Sequence, residues 1–295
     1  MTYVNDPSTG RSVARYVGMN LIEVGDWQRG EVVLEATVSP RTHLAGSHGG
    51  LVTGALLTMC DNVAGFCAGL AALPHGWVVS TSLMIRRARW QSVGDVRFRS
   101  GVLRAGRSSV VTDAVARDEK GLLAIATLTS AVLVPKGGVP VWERPARLVH
   151  DAQPPDGGQR DHDRDNKRSD AGADHFYRWL GIRPAPTGVG VELDVFDGLR
   201  NPWGIVHGGV TASLIDSAAR AAVPGASGVV DATVHFLAPS RAGPVRAVGV
   251  PLGERRSEVV VKVVVSDLGA DRVVAIAIVG VQREVPAVSA SDRFP

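Results

Sequence analysis

The chain has 295 residues, 45% hydrophobic and 21% charged, which suits about two folded domains with sizeable cores. Lys and Arg exceed Asp and Glu by only 32 to 29, a formal charge of +3, too small an excess for a nucleic-acid footprint. No apolar run reaches the ~18 residues of a membrane span, and the opening MTYVNDPSTG lacks the basic start and apolar core of a secretory signal. Two cysteines, Cys60 and Cys67, are too few for a disulfide scaffold. Their apolar helical setting makes them reduced core thiols, and a cytoplasmic location is expected.

In chain order, an amphipathic aromatic stretch (SVARYVGM) precedes a short extended run, VVLEATV. A Gly-rich turn then enters a small-residue helix, HGGLVTGALLTMCDNVAGFCAGLAAL. Ala55, Leu56, Met59, Val63 and Phe66 are spaced along it to face a sheet. Four β-branched runs follow: VVSTSLMIR, DVRFRSGVLRAG, SSVVTDAVARDEKG and LLAIATLTSAVLV. From Ala152 to Asp174 there is no Val, Ile, Leu, Met, Phe, Trp or Tyr. Such a segment cannot bury enough apolar surface to offset its ordering entropy, so it reads as a mobile linker, and His162 within it as a solvated residue.

After the linker the same order returns. HFYRWLGI, VELDVF and the helix HGGVTASLIDSAARAA are followed by GVVDATVHFL, VRAVGVPLG, EVVVKVVVSDLG and RVVAIAIVGV. The expected fold class is therefore α+β: two antiparallel sheets, each wrapped around a central helix, in domains 10–135 and 175–285 joined by a disordered linker 136–174.

The strongest local signal is Asn201-Pro-Trp-Gly-Ile-Val-His207-Gly208-Gly209 with Asp216 inside the helix. Two glycines at a helix N-terminus leave N–H groups open at the positive end of the dipole, where an oxyanion can be stabilised. Asp216 lies nine residues past His207, about 13 Å along the axis and on the opposite side of the helix. Carboxylate and dipole end of one helix cannot meet on one small group. A working site needs the Asp of one helix beside the Gly amide of another, antiparallel to it, as a two-fold or pseudo-two-fold pair provides.

On these residues the chain resembles the PaaI-like hot-dog thioesterases. Their pattern is Asn, five residues, His-Gly-Gly, then a carboxylate nine residues after the His. The resemblance extends over both halves as a tandem, or double, hot dog. It implies acyl-CoA hydrolysis with no cofactor beyond the coenzyme A of the substrate. The Gly208 amide would hold the thioester oxygen, and an Asp from the opposing half would serve as base or nucleophile. Asn201 and His207 would complete the site; alternatively, Asn201 is an ordinary turn residue and His207 only orients the turn. Hot-dog proteins commonly associate further, so a homo-oligomer stays open.

The first half departs from the pattern. Asp61 follows His48 by 13 residues, so aligning on the carboxylates sets Val52, Thr53 and Gly54 opposite His207, Gly208 and Gly209. His48-Gly49-Gly50 is then a glycine turn one helical turn early. Asp61 keeps every polar partner in the crossed geometry, whereas Asp216 faces no Asn. By the resemblance, a hydroxyl at the start of the strand after the helix helps hold water. Ser80 stands there, with Thr81 and Ser82 as shifted choices, and the second half has Val229. One working site per chain is expected, with a degenerate second one. Arg86, Arg87 and Arg89 are the first candidates for coenzyme A phosphates, with solvated edge charges as the alternative. A non-catalytic acyl-CoA-binding module is the rival function, and a hot-dog hydratase lacks its Gly-Asp turn here.

Overall fold

The computed structural model describes residues 13–39, 44–46, 50–90, 93–139, 141–149, 175–255 and 257–283. His48, Gly49, His162 and all of 150–174 lie outside them.

The first half runs α1 (Val13–Tyr16), β1 (Asn20–Glu23), β2 (Val33–Val38), α2 (Thr53–Ala72), β3 (Trp77–Arg87), β4 (Val96–Ala105), β5 (Ser109–Asp118), β6 (Gly121–Leu133) and β7 (Arg147–Val149). The second runs α3 (His175–Trp179), β8 (Arg183–Pro184), β9 (Val191–Leu193), α4 (Gly208–Ala221), β10 (Ala226–Phe236), β11 (Val245–Arg255), β12 (Glu258–Asp267) and β13 (Arg272–Arg283). Alternation does what it should in these strands. On β12, Val259, Val261, Val263 and Val265 are buried toward α4, while Lys262 is exposed.

The expectation of two separate sheets is corrected: among the described residues there is one 13-stranded sheet, ordered β7-β1-β2-β4-β5-β6-β3-β10-β13-β12-β11-β9-β8. The join is β3 against β10, antiparallel, from Asp231 opposite Arg86 to His235 opposite Ser82. Each half would otherwise end on a long β-branched edge with unpaired N–H and C=O groups, and pairing the two edges satisfies both. The expected linker 136–174 also begins too early. Arg147–Val149 pairs with β1, and Arg144 bonds Glu23 Oε1 (2.5 Å) and the Leu70 carbonyl (3.0 Å), stitching this segment to the first half.

α2 is 20 residues long with a mean hydropathy of 1.4, enough by length and composition to cross a bilayer. Asp61 and Asn62 interrupt its apolar sequence, and strands β2 to β6 enclose it, so its burial is that of a core helix. Cys60 and Cys67 are both buried on it as free thiols, and burial pushes their pKa values up to about 12 and about 11. α2 and α4 pack directly on each other through small residues. The Thr58 and Ser213 hydroxyls meet at 3.1 Å, and Ser213 Oγ lies 2.9 Å from the Gly54 carbonyl and 2.8 Å from the Gly209 carbonyl, either of which can accept its proton. A Cβ on Gly209 would lie 2.6 Å from Thr58 Cα, so only glycine permits this approach. Thr53, Thr58 and Asp61 stand at the places of Gly208, Ser213 and Asp216, and both helices begin at the corresponding residue. At α1 and α3 the halves meet again, with Tyr16 stacked on Trp179 at 4.0 Å.

Candidate active site

Asp61 sits in the middle of α2, only 3% exposed. The antiparallel crossing of the helices brings it to the N-terminus of α4. Its Oδ2 lies 2.8 Å from the Gly209 N–H and 3.1 Å from His207 Nδ1, and its Oδ1 accepts from Ser80 Oγ at 2.9 Å. The Gly209 nitrogen is also 3.0 Å from His207 Nδ1. The Gly209 N–H thus points between the carboxylate and the ring nitrogen, and His207 flanks the carboxylate. Asp61 is held by the Ser80 hydroxyl from its own half and the Gly209 N–H from the other.

Gly208 is the first residue of α4. Among the described residues its N–H has no hydrogen-bond partner, while His207 N–H donates to Leu199 and Gly209 N–H to Asp61. A Cβ on Gly208 would lie 2.8 and 2.9 Å from the two carboxylate oxygens of Asp61. The residue that carries this open amide at the positive end of a helix therefore stands directly against the carboxylate. Both line a cleft of about 70 Å³, with Asn62, Gly65, Phe66, Trp77 to Ser80, Asn201, Pro202, Trp203 and His207. Trp77 packs flat over Gly69, where a Cβ would meet its ring at 2.6 Å, and Trp142 stacks behind it at 6.1 Å. Phe66 meets Trp142 edge-on at 5.7 Å, closing an aromatic end wall.

β3 aims Ser80 at Asp61 by an irregularity. Its register against β6 shifts between Ser80 and Ser82, so Thr81 is the extra residue and bonds the Thr129 carbonyl (3.0 Å). Of the three hydroxyls offered by the sequence, Ser80 is the one bonded to Asp61. Asn201 lines the cleft, but its Oδ1 is occupied by the N–H groups of Trp203 (3.0 Å) and Ile205 (3.3 Å), the turn role weighed for it. The loop it starts is fastened across the halves by Trp203 Nε1 donating to the Val78 carbonyl at 2.8 Å. The tryptophans of this cleft carry no spacing signal and were missed.

Asp216 lies at the equivalent place in the other half and is arranged differently. It is 1% exposed, and its Oδ2 accepts from Tyr177 Oη (2.5 Å) and Arg220 Nε (3.2 Å). Tyr177 Oη also accepts the Gly54 N–H at 2.9 Å. Gly54 stands at the place of Gly209, so here a phenol is wedged between the carboxylate and the amide that bonds the carboxylate directly in the other pair. Burial, and then the Asp216 charge, push the Tyr177 pKa upward, so it stays a neutral donor. Val229 stands where Ser80 stands in the first half and is buried.

The three arginines expected at coenzyme A phosphates do not line the cleft. Arg87 bonds Thr53 Oγ1 (2.7 Å) and the carbonyls of Leu51 and Trp90, next to the Asp216 position. Its burial lowers its pKa, against the raising influence of Asp216 and Tyr177. Arg89 pairs with Asp118, whose side chain is fully buried. Arg86, 67% exposed, pairs with Asp231 at 3.2 Å across the β3–β10 join. Their strand positions point them along the sheet, which sequence order alone does not disclose.

A second buried carboxylate supports the site from behind. Asp267 accepts from Ser240 Oγ (3.0 Å) and from the N–H groups of Arg241 (2.8 Å), Ala242 (3.0 Å), Gly243 (2.8 Å) and Ala270 (3.2 Å). The Ser240 carbonyl in turn accepts the Val206 N–H at 2.9 Å, one residue before His207. Burial works to raise the Asp267 pKa, but these donors overcome it and hold the carboxyl below 3.8. A depressed folded pKa contributes stability above the unfolded value that is lost as pH falls through the folded one. Asp267→Asn, with one acceptor oxygen for five donors, is expected to destabilise the protein by about 2–4 kcal/mol at neutral pH. That difference should shrink below about pH 4. Urea unfolding of both proteins across pH checks this.

Residues 198–282 match the family model described as the acyl-CoA thioesterase N-terminal domain. A search of the curated proteins finds no match. Among solved structures, a candidate thioesterase from Novosphingobium aromaticivorans superposes with TM-score 0.57 at 14% identity, over 85% of this chain and 96% of that one. The 12:0-ACP thioesterase from Umbellularia californica gives 0.56 at 14% identity, over 85% and 94%. A protein from Alicyclobacillus acidocaldarius, described by its hot-dog fold, gives 0.52 at 11% identity, over 93% and 98%. The chain therefore has the hot-dog fold, and its second half matches an acyl-CoA thioesterase domain.

Proposed function

We propose that the chain is a double hot dog, a fused pair of hot-dog units of the PaaI-like kind, and hydrolyses acyl-CoA thioesters at one site built from both halves. The observation that carries this reading is the placing of Asp61 from α2 against Gly208, whose N–H is open, at the start of α4. In the proposed reaction the thioester carbonyl oxygen sits on the Gly208 N–H, where the helix dipole favours the negative charge of the tetrahedral intermediate. Asp61, as general base, takes a proton from water held with Ser80, and the water oxygen attacks the carbonyl carbon. The carbon–sulfur bond then breaks, and the coenzyme A sulfur leaves with the proton from Asp61. His207 positions the carboxylate, and Asn201 shapes the loop that carries His207. Only side chains and amides of this chain are used.

The position around Asp216 is proposed to be inactive, because Tyr177 is wedged between the carboxylate and the first turn of α2, where water and a thioester carbonyl would have to meet. The cleft volume and its aromatic end wall favour a short acyl group over a long chain. A panel of acyl-CoAs read with a thiol reagent tests this: turnover is expected with short acyl groups and to be much weaker with palmitoyl-CoA. Thermal stabilisation by the same ligands without turnover would instead identify a binding module.

A further inference from the structure

Asn62 follows Asp61 on α2 and is 3% exposed. It lines the same cleft, yet among the described residues its side-chain amide makes no hydrogen bond, and its Nδ2 is buried without a partner. An unsatisfied amide is unusual in a core helix, since a small apolar residue there avoids the cost of desolvating it. Gly65, Phe66, Trp77 and Val79 line the same cleft and bring no side-chain oxygen to it. On the helix, Asn62, Gly65 and Phe66 form one stripe, three and four residues apart. That stripe runs from the reacting carboxylate toward the aromatic wall, the course an acyl group would take.

Resting on the thioesterase reading above, we propose that Asn62 is a specificity-determining residue selecting acyl groups with a hydroxyl close to the thioester. Rotation about the last side-chain bond turns either amide atom toward the cleft. A hydroxyl both donates and accepts, so it pairs with whichever atom it meets. The same acyl group without oxygen leaves the amide unpaired, and a site built to bind an oxygen discriminates against such an analogue.

The test compares kcat/KM for 2- and 3-hydroxybutyryl-CoA with that for butyryl-CoA, in the native protein and in Asn62→Leu. The native protein is expected to prefer one hydroxylated isomer by about tenfold or more, and Asn62→Leu to reduce that ratio by about tenfold. Asn62→Ala serves the same comparison if leucine overpacks the cleft and lowers the melting temperature. An equal ratio in native and variant proteins overturns the proposal while leaving the thioesterase reading in place. If no thioester is turned over, that reading fails, and the ratio of dissociation constants for the same ligands decides the role of Asn62. A tighter hydroxylated ligand, with the preference lost in the variant, supports it; equal binding overturns it.

Discussion

Asp61→Asn is expected to lower kcat for acyl-CoA hydrolysis by about 10²–10⁴-fold, the range for losing a positioned general base. Asp216→Asn is expected to leave turnover close to native. The two carboxylates occupy equivalent places on α2 and α4, but their partners differ in kind. Asp61 borders a cleft and Gly208, whose N–H is open, with Ser80 and Gly209 bonded to it and His207 beside it. Asp216 faces the Tyr177 phenol and Arg220, and the Gly54 amide, counterpart of Gly209, reaches it only through that phenol. The cost of Asp216→Asn should appear in stability, at about 1–3 kcal/mol, less than for a fully buried pair because Arg220 is about one-third exposed. Steady-state kinetics and thermal melts on both variants separate the two effects. Equal loss of kcat in both would sink the assignment of a single working site.

Gly208→Ala is expected to cost about 10²–10³-fold in kcat, with a smaller effect on KM. Alanine is a good residue for a first helical turn, so α4 itself should form. The new methyl, however, would lie under 3 Å from both oxygens of Asp61. The carboxylate is pinned by the Ser80 hydroxyl and the Gly209 N–H and has little room to yield, so the amide and the base move apart. That separation acts on the transition state, where both are needed at one carbonyl, more than on substrate binding. A melting temperature lowered by the crowding, with a cooperative transition retained and kcat reduced well beyond that loss, is the expected pair of results. Unchanged kcat would show that the carbonyl oxygen does not use this amide.

Much of the architecture was open to a reader of the residues alone. The β-branched runs of each half became strands near the expected bounds, because alternation and branching are local properties. Aligning on Asp61 and Asp216 placed both helix starts correctly, since Val52 and His207 precede Thr53 and Gly208 at the same distance from each carboxylate. Asp61, Ser80, His207 and Gly208 could be grouped because the helix period keeps Asp216 away from its own helix start, and a crossed partner was the remaining geometry.

Other features depend on which surfaces meet, and no local pattern records that. The edges of β3 and β10 join the halves into one sheet where two were expected, because each edge satisfies the other's backbone groups. Residues 141–149 return to β1 and α2 through Arg144 and a short strand, although they follow the last β-branched run of the first half and fall in the expected linker. Arg86, Arg87 and Arg89 spend their charge on Asp231, buried carbonyls and Asp118, since strand direction carries them along the sheet and away from the cleft. Tyr177 reaches Asp216 from a short helix 39 residues away, and Asn62 is left unpaired beside aromatic rings drawn from separate elements. Periodicity is written in neighbouring residues and can be read from them. A hydrogen-bond partner, or the lack of one, is settled only when distant segments pack.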